Sequence, residues 1–395
     1  QNNSWKKERL FGKWEGLNTE FLIGDNEPEK TNLFWLPMIA GNLYDGFMIG
    51  PTFHNFGVPF NKFGYLISPF FSFRREFVSG VADFNYNFYP KRNLKISKFG
   101  LSVKSFKQDS SVRANDGYYF AVLPYWTAKI GHRGDDKPFT QTIRVQSMYR
   151  QDVLQPLTQE RVGGYVEYNF TYSKPDVYFV GKLRNDYISE INANSADGVG
   201  RLMVEGTYKY RYLKNKQKRW IELRAFVGQT LYENFTGNSI TFPYDFSLAG
   251  TSGMQDLFLD EYFMGRNEFT GTWSQQRMEN MGGFKSTTYY GTNSGTMVAG
   301  NLYVDLPIKT GLIGAFLDAG SFRDNTGAMS PIALNTGLGI RLGGIFGIYF
   351  PLWMSDEIVQ SYGPNLGIFD EYGRKIRFTL RMNFVNKPFS LSNFI

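Results

Sequence analysis

The 395-residue chain has no cysteine and only two histidines. Without thiols, disulfides, thiolate metal sites and cysteine nucleophiles are excluded. His54 and His132 lie far apart, and neither has a second histidine at helical spacing, so the convergent ligands of a hydrolytic metal site are missing. The sequence contains no HExxH, no GxSxG nucleophile elbow and no GxxxxGK phosphate loop. It also lacks any run of roughly 18 apolar residues, the length a spanning helix needs. The longest candidates, such as LFWLPMIAGNLY at 33–44, are cut by Pro and Gly. No signal peptide is visible and the first residue is Gln1; a cleaved leader or an upstream domain would explain that.

Glycine (42 residues) and aromatics (17%, led by 37 Phe and 25 Tyr) are plentiful. The net charge of +7 fits either an acidic partner such as lipopolysaccharide or basic residues on a solvated or lumenal face. No nucleic-acid partner is expected. The dominant period is two. In KIRFTLRMNF (375–384), Ile376, Phe378, Leu380, Met382 and Phe384 share one face, and Arg377, Thr379, Arg381 and Asn383 share the other. The same alternation runs through 162–172, 201–213, 220–228 and 301–306. Strict alternation over such lengths predicts half-exposed strands. At about ten residues these exceed the usual five or six. They match the roughly 9–11 residues of a transmembrane strand, with an aliphatic-aromatic outer face and a polar lumen. Aromatics gather at strand ends, as in YYFAVLPYW (118–126) and FGIYFPLW (346–353), the pattern of an interfacial girdle. A large soluble β protein is the rival.

Fifteen strands are predicted between 44 and 384, and an extra one at 32–40 gives about 16. The connections alternate in length. Those at 354–373, 323–331, 232–294, 189–199 and 106–116 are long and fall on one side. Those around 343, 309–311, 214–217 and 174–175 are short and fall on the other. Short turns are periplasmic in such barrels, which predicts a periplasmic N-terminal segment at 1–31, a barrel over 32–384 and a periplasmic tail at 385–395. The fold class expected is therefore all-β: a transmembrane antiparallel β-barrel with a long sixth external loop.

Candidate chemistry is sparse. The run Gly337–Gly344 (GLGIRLGG) has no helix after it and reads as a tight turn rather than a nucleotide loop. Asp256, Asp260 and Glu261 fit a divalent-cation site or, more plainly, a solvated loop. No catalytic, cofactor or metal site is expected, and no enzyme activity.

The order of loop 246–269 (FSLAGTSGMQDLFLDEYFMGRNEF), a strand ending in LPI (306–308), FLDAG (316–320), a glycine-rich hairpin and an alternating last strand resembles a family. It is similar to the C-terminal half of the 16-stranded barrels of the outer-membrane assembly factor (surface antigen) superfamily. The resemblance implies that the sixth external loop folds into the lumen. It also implies that Arg266 meets Asp318 in an F-x-D-x-G motif formed by Phe316, Asp318 and Gly320 on the thirteenth strand. Here Arg266 is followed by Asn267, where the family has Gly and an aromatic. The rival reading leaves Arg266 on a surface loop facing lipopolysaccharide. NLYDGFMIG (42–50), LAGTSG with FMGRNE (248–268), WSQQ (273–276) and GGFK (282–285) also look like barrels of Bacteroidetes that follow a metallopeptidase or other hydrolase domain. From this, the leading functional expectation is a non-catalytic anchor for such a domain in the outer membrane of a Gram-negative bacterium. Its partners would be lipid, lipopolysaccharide and other outer-membrane or periplasmic proteins. The alternatives are protein insertion or translocation, and a plain pore.

Overall fold

A computed structural model describes residues 16–27, 30–57, 61–90, 94–109, 117–131, 138–154, 157–191, 196–213, 219–234, 242–293, 295–308, 311–323, 327–361 and 372–381. His132, the tail at 385–395 and the first fifteen residues lie outside these.

The chain is nearly all β. It opens with β1 (Leu17–Phe21), β2 (Thr31–Asn42), β3 (Gly46–His54), β4 (Phe63–Ser72), β5 (Phe77–Phe88) and β6 (Leu94–Lys107). Next come β7 (Tyr118–Ile130) and the longest strands, β8 (Phe139–Leu154), β9 (Leu157–Lys174), β10 (Val177–Ile191), β11 (Ala196–Leu213) and β12 (Arg219–Asn234). Two-residue strands β13 (Phe246–Ser247) and β14 (Thr292–Asn293) pair with each other inside the long connection after β12. The series ends with β15 (Thr296–Asp305), β16 (Ile313–Phe322), β17 (Ala333–Leu342), β18 (Phe346–Met354) and β19 (Arg377–Leu380). Between the last two lie the short helices α1 (Asp356–Gln360) and α2 (Tyr372–Lys375).

All but β13 and β14 belong to one 17-stranded sheet. From β2 to β12 and from β12 through β15 to β19, each strand pairs antiparallel with the next. These eleven plus five strands make the expected sixteen, and the 32–40 segment is the first of them. The seventeenth, β1, lies parallel to β2, with Leu17 opposite Thr31 and Phe21 opposite Trp35. Five residues are too short for a period to show in the sequence.

The two faces carry inverted chemistry. On β9 to β12, Val166, Leu183, Val204, Leu223 and Val227 are all 45–51% exposed. Their neighbours of opposite parity, Asp186, Arg201 and Arg224, are 1–7% exposed. In water the hydrophobic effect drives the opposite arrangement, so the outer face is built for an apolar solvent.

Two expectations need correction. The connection expected at 189–199 is mostly strand, because Ser189 pairs with Gly198 and Ile191 with Ala196. Strands β8 to β12 run to 15–18 residues, longer than the roughly 9–11 that a transmembrane strand needs. The last strand, expected over 374–384, is Arg377–Leu380, while 372–375 is helical and 382–384 lies outside the described residues. The connection between β12 and β15 explains the helical part. Thr287 Oγ1 donates to the Arg374 carbonyl at 2.7 Å and Gln275 Nε2 to that of Gly373 at 2.8 Å.

Candidate functional site: the loop on the inner face

The connection between β12 and β15, described over 242–293, is almost entirely covered. Its base is closed by the β13–β14 pair. Beyond that it is irregular apart from 3-10 turns at Phe242–Tyr244 and Thr272–Gln275. Two apolar clusters seat it on the inner face. Tyr244, Leu257, Phe258 and Leu259 pack with Tyr119, Leu123, Met148, Tyr165 and Ile188 of β7 to β10. Phe246, Leu248, Met281 and Phe284 pack with Phe226, Met297, Ala299 and Ala333 of β12 to β17. Full burial of one such side chain contributes roughly 1.5–3 kcal/mol, so these contacts give the loop most of its adhesion.

Ion pairs then fix its register. Asp260 accepts from Arg184 at 3.1 Å and lies 4.0 Å from Arg144, on β10 and β8. The Arg184 guanidinium also stacks 3.7 Å from the Tyr165 ring centroid. Lys104 Nζ of β6 donates to the Leu259 carbonyl at 2.5 Å, where Leu259 sits at φ 55°. Such left-handed backbone is costly for a leucine, and the buried contacts of the loop tip sustain it. Glu279 binds Arg341 of β17 at 3.1 Å, Arg381 at 3.4 Å and the Tyr349 hydroxyl of β18.

The family-implied lock is built differently from the sequence expectation. Arg266 does not meet Asp318. Its guanidinium pairs with Asp256 Oδ2 at 3.1 Å and donates to the carbonyls of Gly253, Asp256 and Glu261 at 2.9–3.1 Å, all within the loop. Arg266 is 7% exposed, so it is not a surface-loop arginine either. Asp318 is fully buried and receives Lys285 instead, through Nζ at 2.9 Å and the backbone N–H at 2.7 Å. Asn301 and Asn335 complete its shell at 3.0 and 3.2 Å. Lys285 ends the GGFK motif, and its place opposite Asp318 carries no signal in sequence spacing. Phe316, Asp318 and Gly320 nevertheless share the face of β16 that meets the loop. The Lys285 ammonium lies 5.7 Å from the Phe316 ring centroid. A Cβ on Gly320 would stand 2.6 Å from Leu248 and 3.0 Å from Phe284. A side chain at this position would press on Leu248 and Phe284 of the docked loop, so a bare residue lets the loop approach closely.

The acidic cluster is not a solvated loop, because its charges are taken up by neighbouring groups. Asp256 is neutralised by Arg266 and caps the backbone N–H groups of Asp260 and Glu261 at 2.9 and 3.1 Å. Asp260 is held by the β-strand arginines, and no group of three or more possible metal ligands occurs among the described residues. Burial opposes ionisation of Asp260, but Arg184 and Arg144 outweigh it and hold the carboxyl below its usual range. Glu261 forms no ion pair among the described residues; burial, then the Asp256 carboxylate, pushes it up to about 7 against a weaker pull from Arg381. Burial and Glu233 raise Asp245 to about 7 as well.

The loop reaches both ends of the strand series, so the sheet curves around it. The Tyr262 hydroxyl donates to the Gly41 carbonyl of β2, and Leu43 N–H donates to Met264 at 2.7 Å. Gln276 forms a parallel bridge with Phe378 of β19, and Arg277 N–H donates to the Phe378 carbonyl at 3.0 Å. Gln276 Nε2 closes the link by donating to the Tyr262 carbonyl at 2.7 Å.

No family model matches the chain, and neither does any curated protein. Among solved structures it is similar to CdiB from Acinetobacter baumannii, covering 82% of this chain and 56% of that one, with 11% identity and a TM-score of 0.36. It is also similar to BamA from Haemophilus ducreyi, in a crystal structure lacking POTRA domains 1-3, covering 82% and 66%, with 9% identity and a TM-score of 0.41. The chain thus spans less than two thirds of the length of either.

Proposed function

We propose that the chain is an outer-membrane β-barrel, closed between β19 and β2 and occluded by its sixth external loop, that inserts or translocates other polypeptides. The inverted faces support the membrane setting. So do two aromatic bands on the outer surface: Phe139, Phe170 and Phe179 at one rim, Tyr187 and Tyr232 at the other. On β10, Phe179 and Tyr187 are eight residues apart, about 27 Å along the strand at about 3.4 Å per residue, or about 21 Å of height at a tilt of about 40°, of the order of the roughly 25 Å apolar band of such barrels. In this reading the even strand number leaves the start of β2 and the end of β19 on one side, taken as periplasmic.

The observation that carries the function is the seam. Among the described residues, β19 pairs with β18 only from Phe346 to Tyr349, and residues 350–354 run past it. At the other end, β1 covers β2 only from Thr31 to Trp35. Terminal strands with so few ladder hydrogen bonds form the weakest line of the sheet, and an incoming strand can pair with such an edge. A covered interior disfavours the plain pore.

The natural absence of cysteine allows a clean test. Two disulfides, Gln276→Cys with Phe378→Cys and Leu43→Cys with Met264→Cys, tie the loop to β19 and to the end of β2 and so bridge the seam, and oxidation of both should stop insertion of a β-barrel substrate into liposomes, with reductant restoring it. Unchanged insertion in the oxidised form would refute a moving seam; free passage of small solutes would favour the pore. The intact mass of the native polypeptide tests the anchor reading, since an attached hydrolase domain adds tens of kilodaltons.

A further inference from the structure

Arg377 opens β19 and is completely buried, yet none of its three guanidinium nitrogens has a hydrogen-bond partner among the described residues. Buried polar atoms are almost always satisfied, and an uncompensated buried charge costs several kcal/mol. The carboxylates acting on Arg377 are Glu279 and Asp318, and both are already occupied. Glu279 is taken by Arg341, Arg381 and the Tyr349 hydroxyl. Asp318 is taken by Lys285, Asn301 and Asn335. A second arginine, Arg277, follows Gln276 at its bridge to Phe378, the residue after Arg377, and is itself 8% exposed with an unpartnered Nε. Backbone contacts fix this like-charged pair: Arg277 N–H donates to Phe378, and Thr379 Oγ1 donates to the Arg277 carbonyl at 2.9 Å. Two buried arginines thus flank the Gln276–Phe378 bridge at the junction of loop and last strand, with no carboxylate among the described residues left for Arg377.

We propose that a small inorganic anion of chloride size binds between Arg377 and Arg277 and joins the loop to β19. Burial limits the ligand to a small ion, and the spare donors supply its shell. One negative charge relieves the repulsion that would otherwise push Arg277, and the loop with it, away from the last strand. The anion is then a structural component of the seam described above. Its presence does not depend on what passes through that seam, so the site can stand if the insertion reading fails.

The test uses the whole protein in detergent. Crystals soaked in bromide should show an anomalous peak touching both guanidinium groups. Heat stability at constant ionic strength should rise saturably as chloride replaces gluconate, and Arg377→Met should abolish that dependence. If Arg377→Met does not fold, Arg277→Met serves the same purpose. Ordered water alone at Arg377, with stability indifferent to the anion, would overturn the proposal. A bromide peak with intact anion dependence but no insertion activity would keep the site and remove the functional reading.

Discussion

Lys285 and Asp318 form a 2.9 Å salt bridge in which neither side chain is more than 3% exposed. A buried pair of this kind offers little net stability but is costly to break from one side, on the order of 3–5 kcal/mol, because the remaining charge has no water. Asp318→Asn should therefore release the loop, read as new protease cleavage between 246 and 285. Restoring neutrality with Lys285→Met in the same chain should recover much of the protection. Equal cleavage in the parent and in Asp318→Asn would show that the apolar clusters alone hold the loop.

Arg266 acts within the loop rather than on the wall. Its fork serves four acceptors, which a lysine ammonium cannot match in geometry. Arg266→Lys should behave nearly like Arg266→Met, each costing about 2–4 kcal/mol through the stranded Asp256 and the unpaired carbonyls. Chemical unfolding of the two variants checks this; full rescue by lysine would mean that charge alone matters.

Steric closeness makes a second kind of prediction. A Cβ on Gly282 would sit 2.4 Å from the Leu248 Cα, a backbone atom that cannot swing aside. Gly282→Ala should thus dislodge the 248–284 contact more than Gly320→Ala, whose nearest neighbour is the movable end of the Leu248 side chain. Tryptic half-lives of the two variants should rank in that order.

Glu261 and Asp245 link loop docking to pH. Both are raised by burial to about 7 in the docked loop, so each prefers to be protonated there. Their contribution is fully present below the ordinary carboxylate range, falls as pH rises, and is gone above about 7. The loop should resist protease better at pH 5 than at pH 8. Glu261→Gln should flatten the profile; a profile rising toward pH 8 would contradict the assignment. Asp260 and Glu279 titrate below their ordinary range and add an opposite loss only in stronger acid.

The outer face offers the simplest check of the membrane setting. Leu223, 49% exposed on β12, should not tolerate a charge. Leu223→Arg should cost roughly 2–4 kcal/mol at mid-bilayer depth, measured by unfolding in lipid vesicles. A neutral effect would place this face in water.

Much of the architecture follows from local physics. Period-two patterning needs only neighbours along the chain, so the alternation around Val204 and Arg201, the sixteen-strand count and the loop's position were legible. Phe316, Asp318 and Gly320 could be set on one face of β16 for the same reason, since side chains two apart always share a face. Which cation meets Asp318 was not legible. Lys285 and Arg266 lie in one irregular segment without a period, and their partners depend on how some fifty residues fold over the inner face. The short β1, the helical turn that truncates β19 and the paired Arg277 and Arg377 are likewise products of tertiary contact. Strand and face were set by the sequence through short-range periodicity; the loop's partners were set by burial, which only the assembled sheet creates.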